Sequence, residues 1–325
     1  MAVEYMESFD LMTTALLPRF FPSINSTFTI GSGLTSGSSA ALQCSANSVS
    51  ISLTSRSAYI FGFDFKCPGM GGVFFRIMHG NSSLCSFSIG NTGTIQTEYG
   101  SSTEAPIISG VVINLQIKFV VSATAGSLVV KADGATVINL TNINTGSSNI
   151  DGFWFEKDGG SYGVFAYDTF WVLNTLGSHS NDFPNGRPSI VVRLPNGDGT
   201  YSDLTPNSGT NHYSRVSENT SDDDVTYNSS DTAGAKDTYT IASLGTGYSQ
   251  VHAVKVTAMI RKDDLDSRVV HILAKSGSTL AESSDIDVST AYTAKTLLLQ
   301  DNPDTSSQWT VSGVNAMEPG LKIVS

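Results

Sequence analysis

The chain has 325 residues, of which 14% are charged, 40% hydrophobic and 9% aromatic. Domains of about 100–200 residues are usual, so this length accommodates two of them. Charge falls well below the usual share of about 25%, and Ser, Thr, Asn and Gly replace it, which disfavours long solvated helices and favours short strands joined by tight turns. A net charge of −11 without any Lys/Arg-rich run excludes non-specific nucleic-acid binding and opposes adsorption to an anionic membrane.

From residue 1 the pattern points away from export. Glu4, Glu7 and Asp10 stand where a secretory signal carries basic residues, so synthesis in the cytoplasm is expected. Apolar or alternating runs at 49–53, 59–65, 73–78, 86–90, 94–99, 111–122, 128–132, 136–140, 152–155 and 167–173 read as strands. In the run 114–121, Leu115, Ile117 and Phe119 share one face, with Asn114, Gln116 and Lys118 on the other. The interruption by those three polar residues also keeps this stretch far short of the ~20 residues that span a bilayer. Glycine-rich turns at 69–72, 91–93, 132–134 and 157–160 punctuate the runs. About ten strands at hairpin spacing imply a two-sheet antiparallel sandwich. Cys44, Cys67 and Cys85, an odd number without CxxC spacing, read as core thiols rather than disulfides or a zinc site.

Periodicity fails at 177–187, a Gly/Ser/Asn/Pro-rich linker that separates a first domain (1–176) from a second (188–325). The two parts carry 8 basic against 12 acidic residues up to position 187, and 10 against 17 beyond it. The second part opens on an apolar strand at 189–194, followed by an Asn196-Gly197-Asp198-Gly199 turn. Residues 201–235 form a long acidic loop or arm anchored by Tyr213, Val216, Val225 and Tyr227. Strands return at 251–261, 269–275 and 291–299, and a helical turn within 308–317 precedes a final strand at 321–324. The fold class is therefore all-β, a two-sheet sandwich followed by a smaller β-rich domain.

The opening Glu7-Ser8-Phe9-Asp10, with Gly152-Phe153-Trp154-Phe155 and Tyr167-Asp168-Thr169-Phe170-Trp171-Val172, resembles the concanavalin/laminin-G-like jelly rolls of tailed-bacteriophage proteins. That resemblance implies that the first and last strands of the sandwich pair. Arg193 to Gly199, Leu204 to Tyr213, Asp222 to Tyr227, Lys236 to Tyr239, Arg261 to Asp264 and Trp309 to Val311 resemble the C-terminal module of phage virion structural proteins. This second resemblance implies a non-enzymatic protein of the virion, tail-associated or on the capsid surface as decoration. Its partners would be other virion proteins and copies of itself. The alternative is a carbohydrate-binding module for attachment to a host surface glycan.

Chemistry-bearing motifs are sparse. Glycosidases need two carboxylates about 5–9 Å apart; Glu7 and Asp10 have opposite parity on a strand, and Glu156 with Asp158 precedes a Gly-Gly hairpin and reads as solvated. His79, His179, His212, His252 and His271 each lack an obvious partner, and no Gly-x-Ser-x-Gly elbow is present. No cofactor is implied. Asp222, Asp223 and Asp224 are the candidate calcium ligands, weighed against a plain acidic loop because the spacing departs from an EF-hand. Tyr201, Tyr213, Val216, Val225 and Tyr227 are the candidate interface residues. Tyr99, Tyr162 and Tyr248, close to turns, are the candidate sugar platform, whereas Trp154 and Trp171 read as core or subunit contact.

Overall fold

Alternation of large apolar and small polar side chains builds the first half of the molecule. The computed structural model describes every residue except 1, 25 and 159–162, and its chain divides into two units, Met1–Val191 and Val192–Ser325. Residues 177–187 thus lie within the first unit.

The first unit holds strands β1 (Val3–Glu7), β2 (Phe28–Ser32), β3 (Ala40–Cys44), β4 (Asn47–Arg56), β5 (Ala58–Lys66), β6 (Val73–His79) and β7 (Ser82–Ile89). After these come β8 (Ile95–Thr97), β9 (Gly100–Ser101), β10 (Ile113–Val120), β11 (Gly126–Ala132), β12 (Ala135–Ile143), β13 (Ile150–Asp158) and β14 (Phe165–Asn174). One antiparallel sheet runs β12-β11-β10-β5-β14-β3-β2 with β1 also on β14; the other runs β4-β13-β6-β7-β8-β9. The first strand pairs with the last through Met6–Trp171 and Glu7–Phe170, as the jelly-roll resemblance implies. Strands β2 and β3 escape the periodicity because Thr29, Gly31 and Gln43 interrupt their apolar residues, and β1 because Glu4 and Glu7 do.

Register decides what faces inward. Leu115 sits opposite Phe63, Ile117 opposite Phe61 and Phe119 opposite Tyr59, while Phe153 and Phe155 meet Ile77 and Phe75. All ten are fully buried. The Phe153 and Phe170 ring centroids lie 4.6 Å apart and those of Phe155 and Phe170 4.7 Å; such pairs add about 0.5–1.5 kcal/mol beyond the area they bury. Cys44, Cys67 and Cys85 are free thiols inside this core, and burial pushes the Cys44 thiol up to about 12. Tyr167 spans the sandwich, its hydroxyl donating to the Phe74 and Glu156 carbonyls at 2.6 and 2.7 Å.

In the second unit, Lys236–Ile241 and Glu318–Ile323 lie at the centre of a sheet that continues through Pro195–Ser202 on one side and Val269–Ser276 and Thr279–Glu282 on the other. Val254–Ile260 pairs separately with Thr293–Leu299. Residues 189–194 form no strand, and the expected Asn196-Gly197-Asp198-Gly199 turn lies inside strand Pro195–Ser202. A close approach explains those glycines: a Cβ at Gly197 would meet Thr240 Oγ1 at 2.6 Å and one at Gly199 would meet Thr238 Oγ1 at 2.6 Å. The core of this unit is small: Val256, Ile272, Ala274, Trp309, Val314 and Met317. Thr310 caps the short helix Val311–Asn315 by accepting from the Gly313 amide at 3.0 Å.

Candidate functional site

Strand β13 carries the feature on which a site is built. Phe153 and Phe155 enter the core, and the alternation turns Trp154 to the outer face of the six-stranded sheet, where it is half-buried. Trp154 sits opposite Ser50 on β4 and Arg76 on β6, and Arg76 sits opposite Ser86 on β7. The result is an outward row of hydroxyl, indole, guanidinium and hydroxyl across four strands, with Ser48, Ser52 and Ser88 along its flanks. Core packing, the expectation for this tryptophan, applies to its neighbours and not to Trp154 itself.

Arg76 organises the charges of that face. Its Nε donates to Glu156 Oε2 and its Nη2 to Glu156 Oε1 at 3.3 Å, while Nη1 donates to Ser86 Oγ at 3.2 Å. Asp158 stands 3.7 Å from Nη2. The hydrogen bond to Glu156, above all, holds the guanidinium still more firmly protonated than usual. Glu98 closes the row by accepting the Ser86 amide on both oxygens, at 3.1 and 2.9 Å. Beside Glu156 opens a cleft of about 530 Å³ lined by Asn47, Ser48, Glu156, Lys157 and Asp158. Among the described residues the Trp154 indole has no hydrogen-bond partner, so its N–H and ring are both available to a ligand.

The outer face of the eight-stranded sheet is built differently. Asp64, Asn114 and Gln116 point outward yet are 1–2% exposed, because residues 182–187 contact this face. Arg187 Nε donates to Asp64 Oδ1 at 2.9 Å, Gln116 Nε2 donates to the Gly186 carbonyl at 2.9 Å, and Lys118 Nζ reaches Asp182 at 2.9 Å. Lys131 lies over the Phe183 ring at 4.3 Å. The segment read as a linker is a strap.

The residues singled out from sequence are scattered. Tyr99 is half-buried, its ring packed 5.8 Å from Phe119 and its hydroxyl donated to the Leu84 carbonyl at 2.9 Å, which removes it as a platform. Tyr162 lies outside the described residues, and Tyr248 is 39% exposed in the second unit. Asp222 accepts from Thr226 at 3.2 and 2.9 Å, and Asp224 accepts from Arg261 at 2.7 Å and from the Tyr292 hydroxyl at 2.9 Å. These carboxylates, with Asp223 between them, therefore turn to separate partners instead of converging. Among the described residues no group of three or more His, Cys, Asp and Glu is arranged to hold a metal ion. Tyr201 packs under Lys236 at 4.2 Å, Tyr213 and Val216 are half-buried, and Val225 (70%) and Tyr227 (38%) are exposed.

Three histidines have partners that the sequence hides. His212 Nδ1 lies 2.8 Å from fully buried Asp237, which also accepts from the Leu204 amide at 2.9 Å and the Tyr239 hydroxyl at 3.1 Å. These bonds tie the 201–235 arm to its own unit. His271 sits between Glu282 at 2.6 Å and Asp285 at 2.7 Å, and His79 lies 3.4 Å from Asp151. Among the described residues no serine or cysteine is hydrogen-bonded to any of these rings, so no nucleophile and base are joined.

Sequence reasoning passes over Arg76, Glu98, Ser50 and Ser86, and takes Glu156 only as half of a solvated pair with Asp158, whereas it is buried against Arg76. A parity count along each strand places Arg76 outward between Phe75 and Ile77, but which strands lie side by side is invisible in that count.

Neither a family model nor a curated protein matches the sequence. Among solved structures the chain is similar to a sialidase (10% identity, 52% of this chain, TM-score 0.40), of which it spans 18%. It is also similar to alginate lyase Aly36B (14% identity, 55% of this chain and 98% of that one, TM-score 0.40) and to carbohydrate-binding module CBM66 from Bacillus subtilis (12%, 46% and 92%, TM-score 0.31). The sandwich assignment itself rests on the sheet order.

Proposed function

We propose that the first unit is a glycan-binding sandwich that works without catalytic turnover, and that the chain carries it as an attachment component of a tailed-phage particle. The observation that carries the glycan reading is the outward row Ser50–Trp154–Arg76–Ser86. A sugar presents a C–H face and a rim of hydroxyls, and this row offers an accessible indole ring among hydroxyl and charge-assisted partners on a rigid sheet. Turnover is left out of the proposal because hydrolysis needs two carboxyl groups acting as a pair across the bond, and exposed Asp158 does not find its second in Glu156. Both oxygens of Glu156 are instead engaged by Arg76.

The test is a glycan array probed with the whole chain, followed by calorimetric titration of the strongest binder. Replacing Trp154→Ala is expected to weaken that binder at least about tenfold, as loss of a central aromatic anchor does. Absence of any retained glycan at high protein concentration, or a Trp154→Ala variant that binds like the parent, overturns the reading.

The particle placement is supported by the resemblance of residues 188–325 and by the exposed apolar Val225 and Tyr227, which suit a contact with another virion subunit. Val225→Asp combined with Tyr227→Ala is expected to lower incorporation into particles. A variant incorporated at full occupancy sinks that docking surface, and localisation of the chain in a map of the intact particle tests the placement itself.

A further inference from the structure

Selectivity for the charge of a sugar depends on which charged groups of a face retain hydrogen-bonding capacity. On the outer face of the six-stranded sheet the cations are already engaged. Arg76 faces Glu156, Asp158 and Ser86. Arg56, at the end of β4, donates to Glu4 at 2.9 Å. His79, at the end of β6, lies against the Asn149 carbonyl at 2.8 Å and Asp151. Lys157 lines the cleft beside Glu156 but has the opposite parity on β13, and its ammonium lies 5.9 Å from the Phe165 ring centroid.

The carboxylates are in the reverse position. The Asp158 side chain is 66% exposed, and Glu98 is exposed, accepting the Ser86 amide and bonded to the Cys85 thiol, which leaves part of its accepting capacity unused. A uronate or sialate brought to Trp154 meets these two anions and gains a guanidinium partner only by displacing Glu156 from a charge-assisted pair. A neutral sugar donates its hydroxyls to them. A sugar with a free ammonium gains an ion pair as well.

We infer that this face, taken as the glycan site proposed above, selects glycans without negative charge and prefers those carrying a free amine. Asp158 and Glu98 set the preference, and Glu156 enforces the exclusion by occupying Arg76. An exposed ion pair is weak, so the gain per engaged amine is about two- to fivefold and declines as salt rises.

The experiment compares the charge class of glycans retained by the whole chain on an array containing neutral, amine-bearing and uronate- or sialate-bearing oligosaccharides. It is run in EDTA-containing buffer at pH 6, at about 20 mM and about 300 mM salt. The expected result is retention of neutral and amine-bearing glycans, the latter falling toward the neutral ones at the higher salt. Asp158→Asn is expected to flatten the amine preference, and Glu156→Gln, which frees part of the Arg76 fork, to admit uronates. Retention mainly of anionic glycans overturns the charge inference while leaving glycan binding intact. Equal retention of all three classes by the parent chain does the same. Retention of nothing removes the glycan reading itself, and the selectivity with it.

Discussion

The two sheets of the first unit each turn polar residues outward, and the two faces meet different ends. On the eight-stranded sheet, Asp64, Asn114 and Gln116 lie against residues 182–187 and are sealed from water. On the six-stranded sheet, Ser50, Trp154 and Arg76 remain accessible. Outward parity therefore does not make a surface. A buried polar side chain needs a partner, and the strap supplies a guanidinium, a carbonyl and a carboxylate to groups that isolated strands leave to solvent. Among the described residues no segment covers the open face in this way, and Ser50, Trp154 and Arg76 keep part of their surface in solvent.

The largest effect that separates the faces is expected at Gly62, on the covered side. A Cβ there would stand 1.9 Å from the ring of Trp171, which is 5% exposed and has no room to retreat. Gly62→Ala should cost about 3 kcal/mol, the upper end of ordinary overpacking, read as a lowered urea midpoint for the first unit. Arg187→Ala comes next, at about 2 kcal/mol, because Asp64 keeps the Asn114 amide at 2.8 Å but loses its cation. Faster proteolysis within 177–187 should accompany that loss, and an unchanged cleavage rate would mean that the strap is held by something else. On the open face the matching substitutions Trp154→Ala and Ser50→Ala should change stability by under about 1 kcal/mol. Under the proposed glycan reading their effect falls on ligand affinity, and a large fall in the urea midpoint would show that the face is part of the core.

The smallest effect is a pH dependence. Asp182 is partly desolvated, which works against its ionised form, but the bonds from Lys118 and the Phe183 amide hold its carboxyl below the ordinary 3.8. A lowered carboxyl stabilises the fold above the ordinary aspartate range and loses that contribution as pH falls through its own lower value. The strap should therefore become more protease-sensitive on acidification below about pH 4, and Asp182→Asn should flatten the profile. Asp168 runs the other way: burial raises its carboxyl despite the amides of Leu34 and Thr169. Its contribution is complete below the ordinary range and is lost as pH climbs through the raised value. Asp168→Asn should remove that slope, and an unchanged stability profile between pH 3 and 6 would contradict the assignment.

Much of the sandwich was legible in the residues. Leu115, Ile117 and Phe119 alternate with polar neighbours, and Phe75 and Ile77 flank Arg76, because a strand has period two and one face must be dry. The same parity placed Trp154 opposite Phe153 and Phe155. What escaped was governed by distant contacts: the Asn196 to Gly199 segment looked like a turn until Thr238 and Thr240 came beside it, and Tyr99 looked available until Leu84 took its hydroxyl.

Composition and alternation by themselves determined an all-β chain, the inward set of the first sandwich, the three core thiols and the scarcity of charge on its strands. Local physics suffices there, since burial of one strand face depends only on the spacing of apolar residues. Only the tertiary structure decided which outward face stays open. That choice depends on residues 182–187 meeting Asp64 and Gln116, more than 65 positions earlier, and on four separate strands aligning Ser50, Trp154, Arg76 and Ser86. Such pairings are set by sheet order and by the cost of leaving buried polar groups unpartnered, and strand periodicity does not encode them.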